Sequence, residues 1–213
     1  KRQELLLYDT LDIEFAVNKK HEIFILQVRP ITNVENKKFE DKDYNEKFNI
    51  SHRIWNNLKK CPPHIPGNAR PAYGLMPDWN PAEIIGTSPS ELALSLYKYL
   101  ITDDIWAQQR HEFGYRDVRP GPLIVNFLGK PYVDIRLSFC SFIPKSIPSD
   151  LAGKLLNFYL SYLENNEAFH DKVEFKILPT CLTPSFYIWE DIFLDKAFLN
   201  KNEINLLKKE LTK

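Results

Sequence analysis

Three observations in the sequence predict an α+β fold. Short apolar runs that alternate with period two appear near residues 12–32 and 123–136. Leucines recur at helical spacing through residues 89–100 and 150–165. The two kinds of segment follow one another without the regular βαβ rhythm of a parallel sheet. A β-hairpin is therefore expected first, followed by a domain of mixed helices and strands.

The hairpin rests on Asp12–Val17 and Ile23–Thr32, with the polar Asn18-Lys-Lys-His21 as its turn. Strand side chains alternate between faces, so an even-numbered loop puts Glu14 on one face with Gln27 and Arg29. Phe15, Phe24, Leu26 and Val28 then fill the other face. Pro30 removes a ladder donor and ends the second strand. Residues 33–50 are polar, charged and weakly periodic, which reads as a linker. Prolines at 62, 63, 66, 71, 77, 81 and 89 exclude regular structure over most of 61–89.

Helical signals follow. Ser88-x-x-Glu91 is a capping-box candidate for residues 89–100, with Leu92, Leu96 and Leu100 on one face. Thr102 or Asp103 is suited to cap a helix through Phe113 that Gly114 ends. Leu123–Leu128 and Tyr132–Arg136 flank Gly129-Lys-Pro131 as a second hairpin. Residues 150–165 form an amphipathic helix, Lys172–Ile177 alternates as a strand, and Glu203–Leu211 is a final helix.

Composition narrows the functional classes. A chain of 213 residues holds one good-sized domain, or one domain and a piece of another. Basic and acidic residues balance at 28 each, so no global positive field attracts nucleic acid or an anionic membrane. Cys61, Cys140 and Cys181 lack paired spacing, which favours reduced thiols over a zinc site. No apolar run approaches a membrane span and Lys1-Arg-Gln-Glu4 leads no signal peptide, so a cytoplasmic protein is expected.

The polar face of the first hairpin carries the sharpest chemistry. A carboxylate and an amide suit Mg²⁺, and a planar guanidinium suits phosphate oxygens. The words Asp12-Ile-Glu14 and Gln27-Val-Arg-Pro-Ile-Thr32 resemble the end of the ATP-grasp nucleotide-binding domain in the phosphoenolpyruvate synthase and pyruvate phosphate dikinase family. The resemblance covers about residues 9–32. It implies ATP and Mg²⁺ as cofactors, Glu14 and Gln27 as metal ligands, and Arg29 as a phosphate contact and catalytic residue.

Three further constellations are candidate acceptor-site groups on physical grounds. Arg70, Asp78, Asn80 and Glu83 sit among prolines and aromatics, where charge is costly unless paired; capping of turns by Asp78 and Asn80 is an equally good reading. Arg116 neighbours a row of Tyr132, Asp134 and Arg136 on one strand face, suited to a zwitterion or carboxylate, or to a plain surface ladder pair. His170 and Lys172 offer a base and a charge stabiliser, or a solvated strand edge.

The segments Met76–Gly86, Gly114–Val118, Pro131–Arg136 and His170–Phe175 look like a middle domain of certain phosphoenolpyruvate-synthase-like proteins, among them the glutamine kinase of capsule phosphoramidate biosynthesis. Together the resemblances divide the chain into the C-terminal end of an ATP-grasp domain (1–34), a charged linker and connecting helix (35–60), and the middle domain (61–213). They imply an ATP-dependent phosphotransferase that moves phosphoryl through a histidine to a small amide or carboxylate acceptor such as glutamine, or to pyruvate. The seven glycines are scattered singly, and no histidine has a Gly-rich setting. The expectation is an internal fragment, inactive alone, whose partners are the missing ATP-grasp and phosphohistidine domains. A non-catalytic interaction module derived from such an enzyme is the alternative; a nucleic-acid module is a distant third.

Overall fold

The computed structural model describes residues 11–30, 41–59, 62–68, 70–75, 80–166 and 177–212. The chain falls into two compact units, Lys1–Tyr44 and Asn45–Lys213. Helices and two small antiparallel sheets make the described chain α+β.

In the first unit, β1 (Leu11–Val17) pairs with β2 (Ile23–Pro30). The loop is Asn18–Glu22, one residue longer than the sequence suggests. Asn18 organises it: its Oδ1 accepts from the N–H groups of Lys20 (2.8 Å) and Glu22 (3.0 Å). An Asx side chain that bonds its own backbone two residues on nucleates such turns. His21 takes a positive φ of 62° to close the loop. The odd loop is offset by a bulge that leaves Leu26 unpaired between Glu14↔Gln27 and Phe15↔Ile25. Phe15 consequently faces Ile25 and Phe24 faces Ala16, so the predicted apolar set of Phe15, Phe24, Leu26 and Val28 is corrected: Ile25 takes the place of Phe24, Leu26 falls at the bulge, and Val28 stays, opposite Ile13.

The stretch expected to hold a charged linker and connecting helix (35–60) is helical over most of its length, and the helix begins inside the segment read as linker. α1 spans Asp41–Leu58, and Ile50, Ile54 and Leu58 are half-buried at i, i+4 and i+8. Trp55 meets the Tyr73 ring edge-on at 6.0 Å.

The second sheet has the order β3 (Tyr73–Gly74), β5 (Lys130–Asp134), β4 (Ile124–Phe127). β4 and β5 are joined by Leu128 (φ 55°) and Gly129 (φ 83°), a two-residue turn whose positive φ angles match the strand twist. Arg136 lies outside this sheet: the chain leaves β5 at Asp134 and enters α5 (Ile135–Cys140).

Asn80 caps the short α2 (Pro81–Ile84). α3 (Glu91–Tyr97) is capped by Ser90 rather than Ser88, Ser90 Oγ accepting from Ala93 N–H at 3.2 Å. It continues as a π-helical turn, Lys98–Thr102. Its buried residues are Leu94, Tyr97 and Thr102. The predicted leucine stripe points outward, with Leu92, Leu96 and Leu100 at 69, 48 and 58% exposure. Tertiary contacts, not the strongest local periodicity, chose the inner face. α4 (Ile105–Glu112) ends as expected at Gly114, with Gly114 N–H on His111 O and Tyr115 N–H on Arg110 O, both 3.0 Å.

The core centres on α6 (Ser149–Glu164), which buries Leu151, Leu155, Leu156, Tyr159 and Leu163. α7 (Phe186–Asp195) and α8 (Lys201–Leu211) add Phe186, Phe193, Ile204 and Leu207. An Asn200/Glu203 capping box opens α8, and Glu203 also accepts from Lys154 of α6 at 2.7 Å. Burial alone would raise the Glu203 carboxyl, but the bonds from Lys154 and the Asn200 N–H prevail and lower it. The predicted strand Lys172–Ile177 lies outside the described residues except for Ile177, which is buried.

The loop before β3 touches α6 backbone to backbone. A Cβ on Gly153 would stand 2.9 Å from Gly67 N and 3.1 Å from Gly67 Cα. Gly153→Ala gains about 1 kcal/mol of helix propensity, yet overpacking at a backbone contact costs about 1–3 kcal/mol. Urea unfolding of this variant is expected to show a net loss of stability.

Candidate functional site

Glu14 and Gln27 stand directly opposite each other on β1 and β2, and Arg29 lies two residues further along β2 on the same face. All three are exposed. Directly opposed side chains in an antiparallel pair sit about 4.5–5.5 Å apart at Cβ, so one ligand can engage the carboxylate and the amide together. Neither Glu14 nor Gln27 has a side-chain partner among the described residues.

The pair fits a metal that is already bound by something else. Among the described residues no three His, Cys, Asp or Glu side chains gather to hold a cation. Mg²⁺ keeps several waters and is commonly held by one or two protein groups plus substrate phosphates. One carboxylate and one amide oxygen meet that need, with Arg29 beside them for phosphate.

The second predicted constellation closes on itself. Asp134 and Arg136 are 4 and 2% exposed and form a buried pair, Nη2–Oδ2 2.8 Å and Nε–Oδ1 3.3 Å. Asp134 Oδ1 also accepts from Arg136 N–H at 3.0 Å, capping α5. Arg136 Nη2 donates to Leu58 O (3.3 Å) and to Tyr73 Oη (3.4 Å). Burial, with help from the Asp134 charge, pushes the Tyr73 hydroxyl above the usual range for phenols. The expected Tyr132–Asp134–Arg136 row is thus corrected: the chain turns into a helix after Asp134, and the two charges face each other inside the protein. Tyr132 is half-buried against Phe127, with ring centroids 5.8 Å apart.

The neighbouring arginines are occupied as well. Arg116 donates to Ile147 O, Arg110 lies 4.3 Å from the centre of the Phe142 ring, and Arg119 forks onto Asp117. Among the described residues these arginines form no open cluster. Asn80 caps α2 through Ala82 N–H at 3.0 Å, the turn-capping role, and Glu83 is exposed in the first turn of that helix. Asp78, His170 and Lys172 lie outside the described residues.

Arg70 has a different setting. It is exposed and borders a cavity of about 220 Å³ with Asn68, Asn157, Ser161 and Glu164. Sequence reading missed the α6 members, although Asn157, Ser161 and Glu164 recur at i, i+4 and i+7 and so share one helix face. A larger cavity of about 350 Å³, bordered by Glu112, Tyr115, Lys145 and Glu210, contains none of the predicted residues.

Cys140 is buried and Cys181 is exposed, and neither forms a disulfide among the described residues. Among the described residues no helix is long and apolar enough to cross a membrane. Compared with family models, curated proteins and solved structures, the chain matches none.

Removal of the Arg136 side chain leaves a carboxylate buried without its partner. Arg136→Ala is expected to cost about 3–5 kcal/mol in equilibrium unfolding. Conservation of the melting temperature would show that the pair does not hold this junction together.

The Arg119 fork, at 2.6 Å for Nη2–Oδ2, holds the Asp117 carboxyl down at about 2, below its ordinary 3.8. A carboxylate depressed in the folded state adds stability above its unfolded pKa. That stability is lost as pH falls from 3.8 through about 2. Asp117→Asn should remove this part of the acid limb in urea midpoints measured against pH. Because the pair is about a third exposed, added salt should shrink the difference.

Proposed function

We propose that this chain is part of an ATP-dependent phosphotransferase of the phosphoenolpyruvate-synthase type, and that the β1–β2 hairpin forms one wall of its nucleotide site. The direct Glu14↔Gln27 pairing with Arg29 on the same face carries this reading. The hairpin preserves that convergence although both its loop and its ladder depart from the simplest pattern.

In this reading the Glu14 carboxylate and the Gln27 amide oxygen hold Mg²⁺ against the phosphates of ATP. The Arg29 guanidinium offsets charge on the transferred group. When bound, the metal neutralises charge that builds on the phosphate oxygens during transfer. The chain's own contribution is to position and to supply fixed charge. Other segments of the enzyme supply the phosphate cradle and the histidine that carries phosphoryl onward. The second unit shapes the acceptor site, or the surface on which the histidine domain docks. The acceptor is a small amide or carboxylate compound such as glutamine, or pyruvate.

A second reading, an interaction module derived from such an enzyme, draws on the outward stripe of Leu92, Leu96, Tyr99 and Leu100 on α3 and its π turn. Phosphoryl transfer separates the two. In the complete protein with labelled ATP and Mg²⁺, Glu14→Ala and Arg29→Ala are each expected to slow histidine phosphorylation about 10²–10³-fold. Both side chains are exposed, so the melting temperature should hardly move. Unchanged transfer in both variants would remove the hairpin from the site.

A further inference from the structure

We propose that the Arg70 cavity is a binding site for a small zwitterion, an α-amino acid with an acidic side chain. The inference does not depend on the nucleotide reading, because it concerns only groups of the second unit. Arg70 and Glu164 border the same cavity of about 220 Å³. They are not bonded to each other, and neither has an ion-pair partner among the described residues. Other charges of the second unit are paired. Asp117 and Arg119 pair, Asp134 and Arg136 pair, and Lys154 pairs with Glu203.

A cation and an anion that border one small cavity without bonding to each other match a ligand that carries both charges. The guanidinium takes the α-carboxylate through its planar fork, and the Glu164 carboxylate takes the α-ammonium. The frame between them is fixed. Asn157 Oδ1 accepts from Asn68 N–H at 3.3 Å, which leaves the Asn157 amide N–H groups as donors beside the cavity. The Gly67–Gly153 contact locks the loop that carries Asn68 and Arg70 onto α6.

Asn157 and Ser161 also border a second cavity of about 250 Å³, lined by Lys154, Phe158, Lys196 and Phe198. The two cavities therefore meet along one face of α6. Phe198 is 80% exposed and sits at a positive φ of 54°, an uncommon conformation for a bulky residue. Lys196 has no ion-pair partner among the described residues. A side chain that crosses from the first cavity meets aromatic surface for its methylenes and an ammonium at its end. An acidic side chain suits that path, and a basic one is repelled.

The test uses the full chain and four matched probes, with binding read by NMR titration. L-Glutamate carries every feature; glutarate lacks the ammonium, 4-aminobutyrate lacks the α-carboxylate, and L-lysine reverses the side-chain charge. Glutamate is expected to bind about tenfold or more tightly than each of the others. Arg70→Gln should abolish its advantage over 4-aminobutyrate, Glu164→Gln its advantage over glutarate, and Lys196→Gln its advantage over lysine. All three positions are exposed, so melting curves should coincide with the parent. Equal binding of the four probes, absence of saturable binding at millimolar ligand, or variants that bind like the parent would overturn the proposal. The comparison of probes on the unmutated chain decides even if a variant fails to fold.

Discussion

The Asp134–Arg136 pair is the contact on which the second unit turns. One residue ends β5 and caps α5; the other lies in the first turn of α5 and reaches both the last carbonyl of α1 and the hydroxyl of Tyr73 on β3. A sheet, its edge strand and two helices thus share a single junction. Burying two charges is expensive, and mutual attraction repays it only when the remaining polar groups are satisfied as well. Here the carboxylate accepts from two backbone N–H groups and from the guanidinium. The guanidinium in turn spends a donor on a carbonyl that a helix end would otherwise leave open.

That arrangement explains why the aromatic groups line up where they do. Trp55, Tyr73, Phe127 and Tyr132 form a chain of edge-on contacts with centroid separations of 6.0, 5.4 and 5.8 Å. Tyr73 belongs to both systems, since its ring packs in the aromatic row while its hydroxyl meets Arg136. Its hydroxyl stays neutral across the ordinary pH range, because burial and the nearby Asp134 disfavour a phenolate. A neutral Tyr73 can accept from Arg136 without adding charge to the junction.

Much of this was legible in the sequence, and the failures share a cause. The α6 helix, the turn at Gly129 and the stop at Gly114 follow from local periodicity and from the freedom of glycine at positive φ. The polar face of β1–β2 was also legible, but for an incomplete reason. Its loop has five residues, not four, and the bulge at Leu26 restores the parity that puts Glu14 beside Gln27. Parity is a global property of a hairpin, and no local pattern shows where a bulge falls. A connecting helix is expected within 35–60, but its start inside the polar stretch 33–50 was hidden, because the stripe of α1 is half-buried and its outer face strongly polar. The leucines of α3 misled because periodicity marks a face without saying which way that face points. Alternation alone puts Asp134 and Arg136 on one strand face two residues apart; a helix start between them brings one in reach of the other.

Pairing itself then becomes a guide to use. Several arginines and aspartates of the second unit find partners within the fold: Arg110 on Phe142, Arg116 on a carbonyl, Asp117 with Arg119, Asp134 with Arg136. Such groups are engaged, wholly or in part, by other groups of the protein. Glu14 and Gln27 on the hairpin, and Arg70, Glu164 and Lys196 around α6, keep their hydrogen-bonding capacity in solvent. Solvent contact costs them nothing, so exposure alone is no argument for a role. What distinguishes them is placement: Glu14 and Gln27 are opposed across a ladder, Arg70 and Glu164 border one small cavity, and Lys196 borders the cavity that shares Asn157 and Ser161 with it. A ligand that bridges such a set replaces several waters at once and needs no rearrangement of the backbone that holds it.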